Sequence, residues 1–263
     1  MALSLNFKAD KSERNTDKRK ESSLAKECDM SLKRFKVLSF DVVGTLIDFE
    51  RGMLNYLRRS VPGATASDEI FLEAYRHSRA SDAAGWYPDD LVRVWSEVAK
   101  ELGLPDRPAL AEGFRDSVVE WPAFDDSVHA LKRLHSRFYL VAMTNTQRWA
   151  LAHFDRTLGQ PFDDTVSSDD ALCEKPDPQF FAFTRGRLST RGFTLADTLH
   201  VAQSQYHDIG VARRLGYSVC WIERRQGQPG FGATKAVAQL TKPDYHFRTL
   251  AELANAVDAA FAG

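Results

Sequence analysis

The stretch from Phe35 to Phe49, FKVLSFDVVGTLIDF, constrains the fold of this chain more than any other. Its first half is a short apolar run of β-prone residues, which is typical of an interior strand covered on both faces. Gly44 and Thr45 interrupt the run, so Asp41 lies at the carboxyl end of the strand. Ligands of open α/β sheets bind at such ends. Asp41 is therefore a candidate for chemistry, unless it only caps the following turn.

The overall composition indicates a globular protein without a strong charge bias. The chain has 263 residues, of which 43% are hydrophobic and 27% charged, and its formal net charge is −1. We therefore expect no nucleic acid and no membrane as a partner. No apolar run reaches the ~18 residues of a membrane span, and we expect a cytoplasmic protein. Cys28, Cys173 and Cys220 are widely spaced, which favours reduced thiols over disulfides or a zinc site.

The pattern along the chain predicts three regions. Residues 1–33 are dominated by charged and polar side chains and are expected to form a flexible, charged N-terminal extension. Residues 51–122 show apolar positions at three-and-four spacing, which predicts an inserted helical cap domain. Residues 34–50 and 123–263 alternate between strand and helix patterns. This alternation predicts an α/β core domain with a doubly wound parallel sheet.

The second part of the core can be divided into individual elements. From residue 123 onward we predict a helix at 127–135, a strand at 138–144, a helix at 147–158, a short strand and loop at 164–170, a helix at 177–188, a strand at 199–204, a helix at 208–215, strands at 217–223 and 245–247, and a helix at 250–261. Because the carboxyl ends of parallel strands share one edge of the sheet, side chains at 41, 144 and 204 should converge there, with Lys175 from a loop.

Four short segments occur in order along the chain. They are Asp41-x-x-Gly44-Thr45, Thr144-Asn145, Lys175-Pro176, and the run QSQYHD at 203–208. This order, with a helical insertion after the first segment, resembles the haloacid dehalogenase (HAD) superfamily from residue 35 to the C-terminus. The resemblance implies a HAD-like Rossmannoid core. It also implies that Asp41 is the nucleophile, that Thr144 and Lys175 orient and neutralise charge, and that Asp208 closes the site.

Two departures from the superfamily pattern favour chemistry at carbon without a metal. Phosphotransfer members carry a second Asp two residues after the nucleophile, where this chain has Val43. They also begin the fourth segment with an acid, where this chain has Gln203. Mg²⁺ prefers carboxylate oxygens, and a phosphoryl leaving group would lack its proton donor. We therefore expect no metal and no cofactor.

The sequences KPDP at 175–178 and CWIERR at 220–225 look like the L-2-haloacid dehalogenase (type II) branch. That resemblance implies a hydrolase in which Asp41 displaces a halide from the α-carbon of a 2-haloacid. The resulting ester intermediate is then hydrolysed by water. Lys175 would keep Asp41 ionised through its opposite charge. Asp208 would position the water or anchor Lys175, and Thr45 would fix the Asp41 carboxylate.

The substrate expected from this resemblance is a small carboxylic acid. Backbone N–H groups of Val42, Val43 and Asn145, together with the Thr144 hydroxyl, would hold its carboxylate. Possible further contacts come from the fourth segment and from the helical insertion, although each has a plain structural alternative as a surface or packing group. These candidates are Gln203, Gln205, His207, Arg76, Arg79, Trp86 and Tyr87.

Several alternatives remain open from the sequence. Gln203 and Gln205 stand where typical dehalogenases have Ser and Asn, which favours an altered substrate such as the strained cyclic amino acid azetidine-2-carboxylate. Its amine would need a proton, from His207 or from a water held by Gln205. A Mg²⁺-dependent small-molecule phosphatase that tolerates Val43 is another alternative, and a non-enzymatic binding protein is a third. The resemblance also implies a possible homodimer.

Overall fold

The computed structural model describes residues 32–262. Most of the predicted N-terminal extension, including Cys28, lies outside the described residues. Residues 35–254 form one compact unit, which contains all six strands of the sheet. Cys220 is buried in this unit and Cys173 is half-buried. None of the helices within residues 32–262 is long and apolar enough to cross a membrane.

The centre of the fold is a sheet of six strands, all parallel. They are β1 (Val37–Phe40), β2 (Tyr139–Met143), β3 (Asp164–Val166), β4 (Thr198–Ala202), β5 (Ser218–Ile222) and β6 (Tyr245–Phe247). Their spatial order is β3-β2-β1-β4-β5-β6, so strands are added on opposite sides of β1. The predicted doubly wound parallel sheet is confirmed. The switch point between β1 and β4 is where such folds bind ligands.

Four helices lie between residues 49 and 116, in the block where the sequence predicts helices. They are α1 (Phe49–Ser60), α2 (Asp68–Arg79), α3 (Leu91–Leu102) and α4 (Pro108–Asp116), and a 3₁₀ turn follows at Ser117–Glu120. Ser67 caps α2 through its side chain, and Gly103 ends α3 in the left-handed region. Rings of Tyr56, Trp95 and Phe114 pack together between these helices. That this block is a separate cap domain stays a prediction.

The remaining helices follow along the described part of the chain. They are α5 (Ser127–His135), α6 (Arg148–Thr157), α7 (Ser168–Ala171), α8 (Pro178–Ser189), α9 (Gly210–Arg214) and α10 (Leu250–Ala262), with a 3₁₀ turn at Leu195–Asp197. The short strand expected within 164–170 is present as β3, but the loop expected after it is a short helix, because Ser167 and Asp170 form a reciprocal capping box. The helix expected at 208–215 begins earlier, with a π-helical turn at Gln205–Ile209.

A long segment without helix or strand, residues 223–244, connects β5 to β6 and is termed the β5–β6 loop. It is held to the rest of the fold by Gln205, whose Oε1 accepts from Thr241 N at 2.9 Å and whose Nε2 donates to Thr241 O at 3.4 Å. Lys235 in the same loop donates to the Tyr206 hydroxyl at 3.1 Å. These contacts place the loop beside the carboxyl ends of the strands.

Candidate active site

Asp41 follows β1 directly and is fixed by the turn behind it. The turn closes through a hydrogen bond from Gly44 N to Ile47 O at 2.9 Å. Gly44 has φ +90°, and a Cβ at this position would lie 3.1 Å from the Phe49 ring, so the turn requires glycine. Thr45 Oγ1 donates to Asp41 Oδ2 at 2.6 Å. The predicted role of Thr45 in fixing the carboxylate agrees with this geometry.

Lys175 connects the two carboxylates that the sequence predicts at the site. Its Nζ donates to Asp41 Oδ1 at 2.9 Å, to Asp208 Oδ1 at 2.6 Å and to Met143 O at 2.7 Å. All three donor protons of the ammonium therefore have acceptors. Asn145 holds the Lys175 backbone on both sides, accepting from Lys175 N at 2.6 Å and donating to Lys175 O at 2.7 Å. The ammonium position is thus set by two neighbouring strand ends.

The charges of this cluster are strongly perturbed because the groups are buried. Burial raises the pKa of Asp41 above its usual value, the Asp208 carboxylate adds to this, and Lys175 and Thr45 oppose it. The expected effect of Lys175 on Asp41 is therefore present, but burial outweighs it. The pKa of Asp208 falls to about 2, because Lys175 and His200 outweigh its burial. The paired carboxylates raise the pKa of Lys175 despite its burial. Lys175 is therefore a permanent cation here.

A cavity of about 140 Å³ opens above this cluster. Its floor consists of residues at the strand ends, namely Asp41, Val43, Thr144, Asn145, Lys175, Gln203, Ser204, His207 and Asp208. Its roof consists of side chains from the helical insertion and residues of the β5–β6 loop, namely Phe49, Tyr75, Arg76, Arg79, Ala80, Tyr87, Ala233, Thr234 and Lys235, and Glu174 lies beside them. A cavity of ~150 Å³ accommodates benzene, so this one suits a ligand of about six non-hydrogen atoms.

Several polar groups of the cavity have no partner within residues 32–262. Thr144 Oγ1, Tyr87 OH and Asp208 Oδ2 are buried side-chain atoms of this kind. The backbone N–H groups of Val43 and Asn145 likewise make no hydrogen bond to another described residue. Buried polar groups are normally hydrogen-bonded, so unpaired groups around one cavity point to a polar ligand. The set contains donors from both the floor and the roof.

The predicted substrate contacts in the floor are only partly brought together. Val43, Thr144, Asn145, Gln203 and His207 line the cavity. Gln205 does not line it, because its side chain binds the β5–β6 loop. The Val42 side chain is fully buried and also lies outside the lining, and the contact predicted for the Val42 backbone N–H stays a prediction. Gln203 Oε1 accepts from Thr234 Oγ1 at 3.3 Å, so its amide is already engaged.

His207 lies in the floor as a neutral group. Its Nδ1 is 3.1 Å from Ser204 Oγ. Burial lowers the pKa of His207 to about 4, so the imidazole carries no charge at neutral pH. A neutral imidazole is a weak acid, and the proton donation that ring opening would need from His207 is not favoured by this environment.

The predicted contacts from the helical insertion have different positions. Arg76 and Arg79 line the roof, but both have protein partners: Arg76 donates to Gly232 O, and Arg79 pairs with Asp90. Trp86, a predicted substrate contact, is 41% exposed and lies outside the cavity lining. The neighbouring Tyr87 lines the cavity instead.

His200 and Ser39 are part of the site, although the sequence analysis did not select them. Both are fully buried in neighbouring strands, and His200 Nε2 is 3.0 Å from Asp208 Oδ1. The sequence feature that could have identified them is a polar residue in the middle of each apolar strand. A buried polar group needs a partner, and the candidate partners lie at the ends of these strands.

The donor set fits a divalent cation poorly. Lys175 already occupies the space between Asp41 and Asp208, and Val43 and Gln203 contribute no carboxylate. Mg²⁺ prefers several carboxylate oxygens in octahedral geometry. Within the described residues, no group of three or more His, Cys, Asp or Glu side chains has the arrangement of a metal site.

Comparisons with known proteins agree with the fold. Two (S)-2-haloacid dehalogenases, of Pseudomonas fluorescens and Pseudomonas putida, are each 26% identical to this chain over 157 residues, which is 59% of this chain. The chain spans 64% of the length of these curated relatives.

Solved structures extend the similarity over most of the chain. L-2-haloacid dehalogenase from Xanthobacter autotrophicus is 20% identical, with a TM-score of 0.69 and coverage of 85% of this chain and 98% of that chain. A putative HAD-hydrolase of Bacillus subtilis bound to magnesium is 23% identical, with a TM-score of 0.66 and coverage of 85% and 99%. The sequence pattern of the haloacid dehalogenase-like hydrolases matches residues 35–216. The chain therefore belongs to the haloacid dehalogenase-like hydrolase family.

Proposed function

We propose that this protein is a metal-independent hydrolase in which Asp41 attacks the α-carbon of a small 2-substituted carboxylic acid, with a 2-haloacid as the favoured substrate. The observation that carries the proposal is the pairing of Asp41 with Lys175 at 2.9 Å in a cavity floor with apolar Val43 two residues after the nucleophile. The similarity to (S)-2-haloacid dehalogenases supports the same substrate class. No cofactor is needed for this reaction.

In the first half-reaction, the carboxylate of the substrate binds to the unpaired donors of the floor. These are the Thr144 hydroxyl and the backbone N–H groups of Val43 and Asn145. An Asp41 oxygen then forms a bond to the α-carbon while the bond from that carbon to the halogen breaks. The halide leaves with the bonding electrons toward the roof. Burial favours this step because the attacking carboxylate is already stripped of most water.

In the second half-reaction, water attacks the Cγ of the Asp41 ester. The Cγ–O bond to the substrate breaks, the 2-hydroxy acid leaves and Asp41 is regenerated with one oxygen from water. The net reaction consumes one water and releases one halide ion and one proton. The unpaired Asp208 Oδ2 is the acceptor available to this water. Lys175 stays charged throughout and balances the carboxylates.

The neutral state of His207 weighs against the azetidine-2-carboxylate alternative. A ring amine must gain a proton as it leaves, whereas a halide needs only hydrogen-bond donors or a positive charge. The roof offers the Tyr87 hydroxyl and the guanidinium groups of Arg76 and Arg79. These are donors suited to an anionic leaving group.

The test is a single turnover in H₂¹⁸O with excess EDTA, using enzyme in molar excess over (S)-2-chloropropionate. We expect halide release and one ¹⁸O atom in the peptide that contains Asp41, measured by mass spectrometry. The Asp41→Asn variant is the control for the labelled position. Phosphate release from an aryl phosphate that requires added Mg²⁺, with no halide release from any 2-haloacid, would contradict the proposal and support the phosphatase alternative.

A further inference from the structure

Two polar side chains lie inside the sheet directly behind the cluster of Asp41, Lys175 and Asp208. Ser39 and His200 are register partners on the adjacent strands β1 and β4, and both are completely buried. Their side chains are joined by a contact of 3.0 Å between Ser39 Oγ and His200 Nδ1. Burying a polar group costs folding free energy unless the group is hydrogen-bonded. Packing alone therefore does not explain why two polar residues occupy these positions.

His200 continues this chain of contacts to the active site. Its Nε2 is 3.0 Å from Asp208 Oδ1. An ionised carboxylate only accepts hydrogen bonds, so Nε2 must carry the proton that it donates to Asp208. In the neutral imidazole, Nδ1 is then an acceptor, and the Ser39 hydroxyl donates to it. Asp208 therefore fixes the tautomer in which His200 donates from Nε2, and the Ser39 hydroxyl supplies the donor that Nδ1 then needs.

The effect on Asp208 is geometric. Its Oδ1 receives hydrogen bonds from both Lys175 and His200, whereas its buried Oδ2 receives none from a described residue. A carboxylate held by two donors on the same oxygen cannot exchange its oxygens without breaking both bonds. Because Asp208 lines the cavity, Oδ2 is the oxygen left for a ligand or a water. Lys175 alone would hold Oδ1 by a single hydrogen bond.

We infer that His200 and Ser39 are positioning residues that hold Asp208 with Oδ2 directed at the water that hydrolyses the Asp41 ester. The inference rests on the proposed function, because it assigns this pair to the second half-reaction. Although Ser39, His200 and Asp208 are residue types of a nucleophilic triad, Ser39 is fully buried and does not line the cavity. Its hydroxyl therefore has no access to substrate.

The inference predicts that the two half-reactions respond differently to a change at His200. In His200→Phe, we expect ester formation to stay within about threefold of wild type and ester hydrolysis to slow about 10- to 100-fold, the range seen when supporting hydrogen bonds are removed. The ester should then accumulate and be visible as added mass on the intact protein. Ser39→Ala should change hydrolysis in the same direction by a smaller factor.

Two further variants separate positioning from packing. Phe181 contacts the His200 ring edge-on, with centroids 5.5 Å apart, so Phe181→Leu disturbs the packing of His200 but leaves its hydrogen bonds. This variant should slow neither step selectively. His200→Gln keeps a donor for Asp208 and an acceptor for Ser39, and it should recover most of the hydrolysis rate. Parallel slowing of both steps in His200→Phe and Phe181→Leu would overturn the inference.

A readout that needs no turnover keeps the inference testable if the substrate proposal fails. The ¹⁵N shifts of His200 in the full-length protein report its tautomer. We expect the Nε2–H form in wild type and also in Ser39→Ala, because Asp208 still accepts from Nε2 in that variant. The Nδ1–H form in wild type would overturn the inference. Absence of any ester with 2-haloacids would instead count against the proposed function and leave the NMR result to decide the role of the pair.

Discussion

The floor and the roof of the cavity are built on different principles. In the floor, Asp41 and Lys175 are tied to each other and to groups at the strand ends, and all three protons of the Lys175 ammonium have acceptors. The Thr144 hydroxyl and the backbone N–H groups of Val43 and Asn145 have no partner among the described residues. In the roof, Tyr87 presents a buried hydroxyl without a partner, and Arg76 contacts the carbonyl oxygen of Gly232 in a loop. Under the proposed function, the charged cluster of the floor carries the chemistry, the unpaired donors of the floor bind the substrate carboxylate, and the roof selects the leaving group.

The largest expected effect is the loss of the nucleophile from the floor. Asp41→Asn should lower kcat about 10⁴-fold or more, because an amide does not replace the attacking carboxylate. Halide release under steady state measures the loss. Asp177→Asn is a matched control, since Asp177 is an exposed N-cap two residues from Lys175, and it should keep wild-type kcat. A variant at Asp41 with more than a few per cent of wild-type activity would place the chemistry elsewhere.

The next largest effect comes from the ammonium that ties the floor together. Lys175→Met leaves Asp41 and Asp208 as uncompensated buried carboxylates, and we expect the free energy of unfolding to fall by about 3–5 kcal/mol. Activity should fall at least ~10²-fold. Chemical denaturation provides the stability measurement. Lys235→Met removes an exposed lysine of the roof and should change stability by less than ~0.5 kcal/mol.

The pH profile tests how the floor is charged. The nucleophile must be ionised, and burial raises the pKa of Asp41 above the ordinary value of 3.8. Activity should therefore fall about tenfold per pH unit as the pH drops below this raised pKa, so the acidic limb of kcat/KM lies above pH 3.8. Asp208, with a pKa of about 2, stays ionised throughout this range. A limb below pH 3.8 would show that the Lys175 charge outweighs burial.

The smallest expected effect concerns the roof, where activity and stability should change in opposite directions. Tyr87→Phe removes a hydroxyl that has no protein partner, so stability should stay the same or rise by up to ~1 kcal/mol, while kcat falls about 10-fold through the lost donor. Tyr217→Phe is the matched control. The Tyr217 hydroxyl donates to Phe181 O at 3.2 Å, so this change should cost about 1 kcal/mol and leave kcat intact. Thermal unfolding and halide release measure both.

The sequence was most informative where a strand delivers a side chain to its own carboxyl end. Asp41, Thr144 and Ser204 line one cavity, as predicted, because parallel strands share that edge whatever their order. The position of a strand end does not predict the contacts of residues 205–208, which lie in the turn after β4. Side chains in an irregular turn do not alternate regularly between two faces, so the sequence does not show which way they point. The substrate contact predicted for Gln205 therefore overlooked the hydrogen bond that its amide oxygen accepts from the Thr241 backbone.

The roof was less predictable because it depends on long-range contacts between separate segments. Trp86 and Tyr87 are adjacent in a turn, and the sequence does not show which of the two lines the cavity. In the structure only the tyrosine is buried. His200 was missed for a different reason. Its partners Ser39 and Asp208 are respectively 161 and 8 residues away in sequence, and only the strand register brings all three together.

The two hydrogen bonds between the Gln205 amide and the Thr241 backbone have a consequence for how substrate specificity can change in this fold. The Gln205 amide anchors the β5–β6 loop near its end, and Ala233 to Lys235 of the same loop line the cavity. The length and composition of the β5–β6 loop before Thr241 can change without disturbing Asp41. The β5–β6 loop could therefore be exchanged as a unit, in evolution or by design, so that the same Asp41 carboxylate would act on acids of different shape under the proposed function.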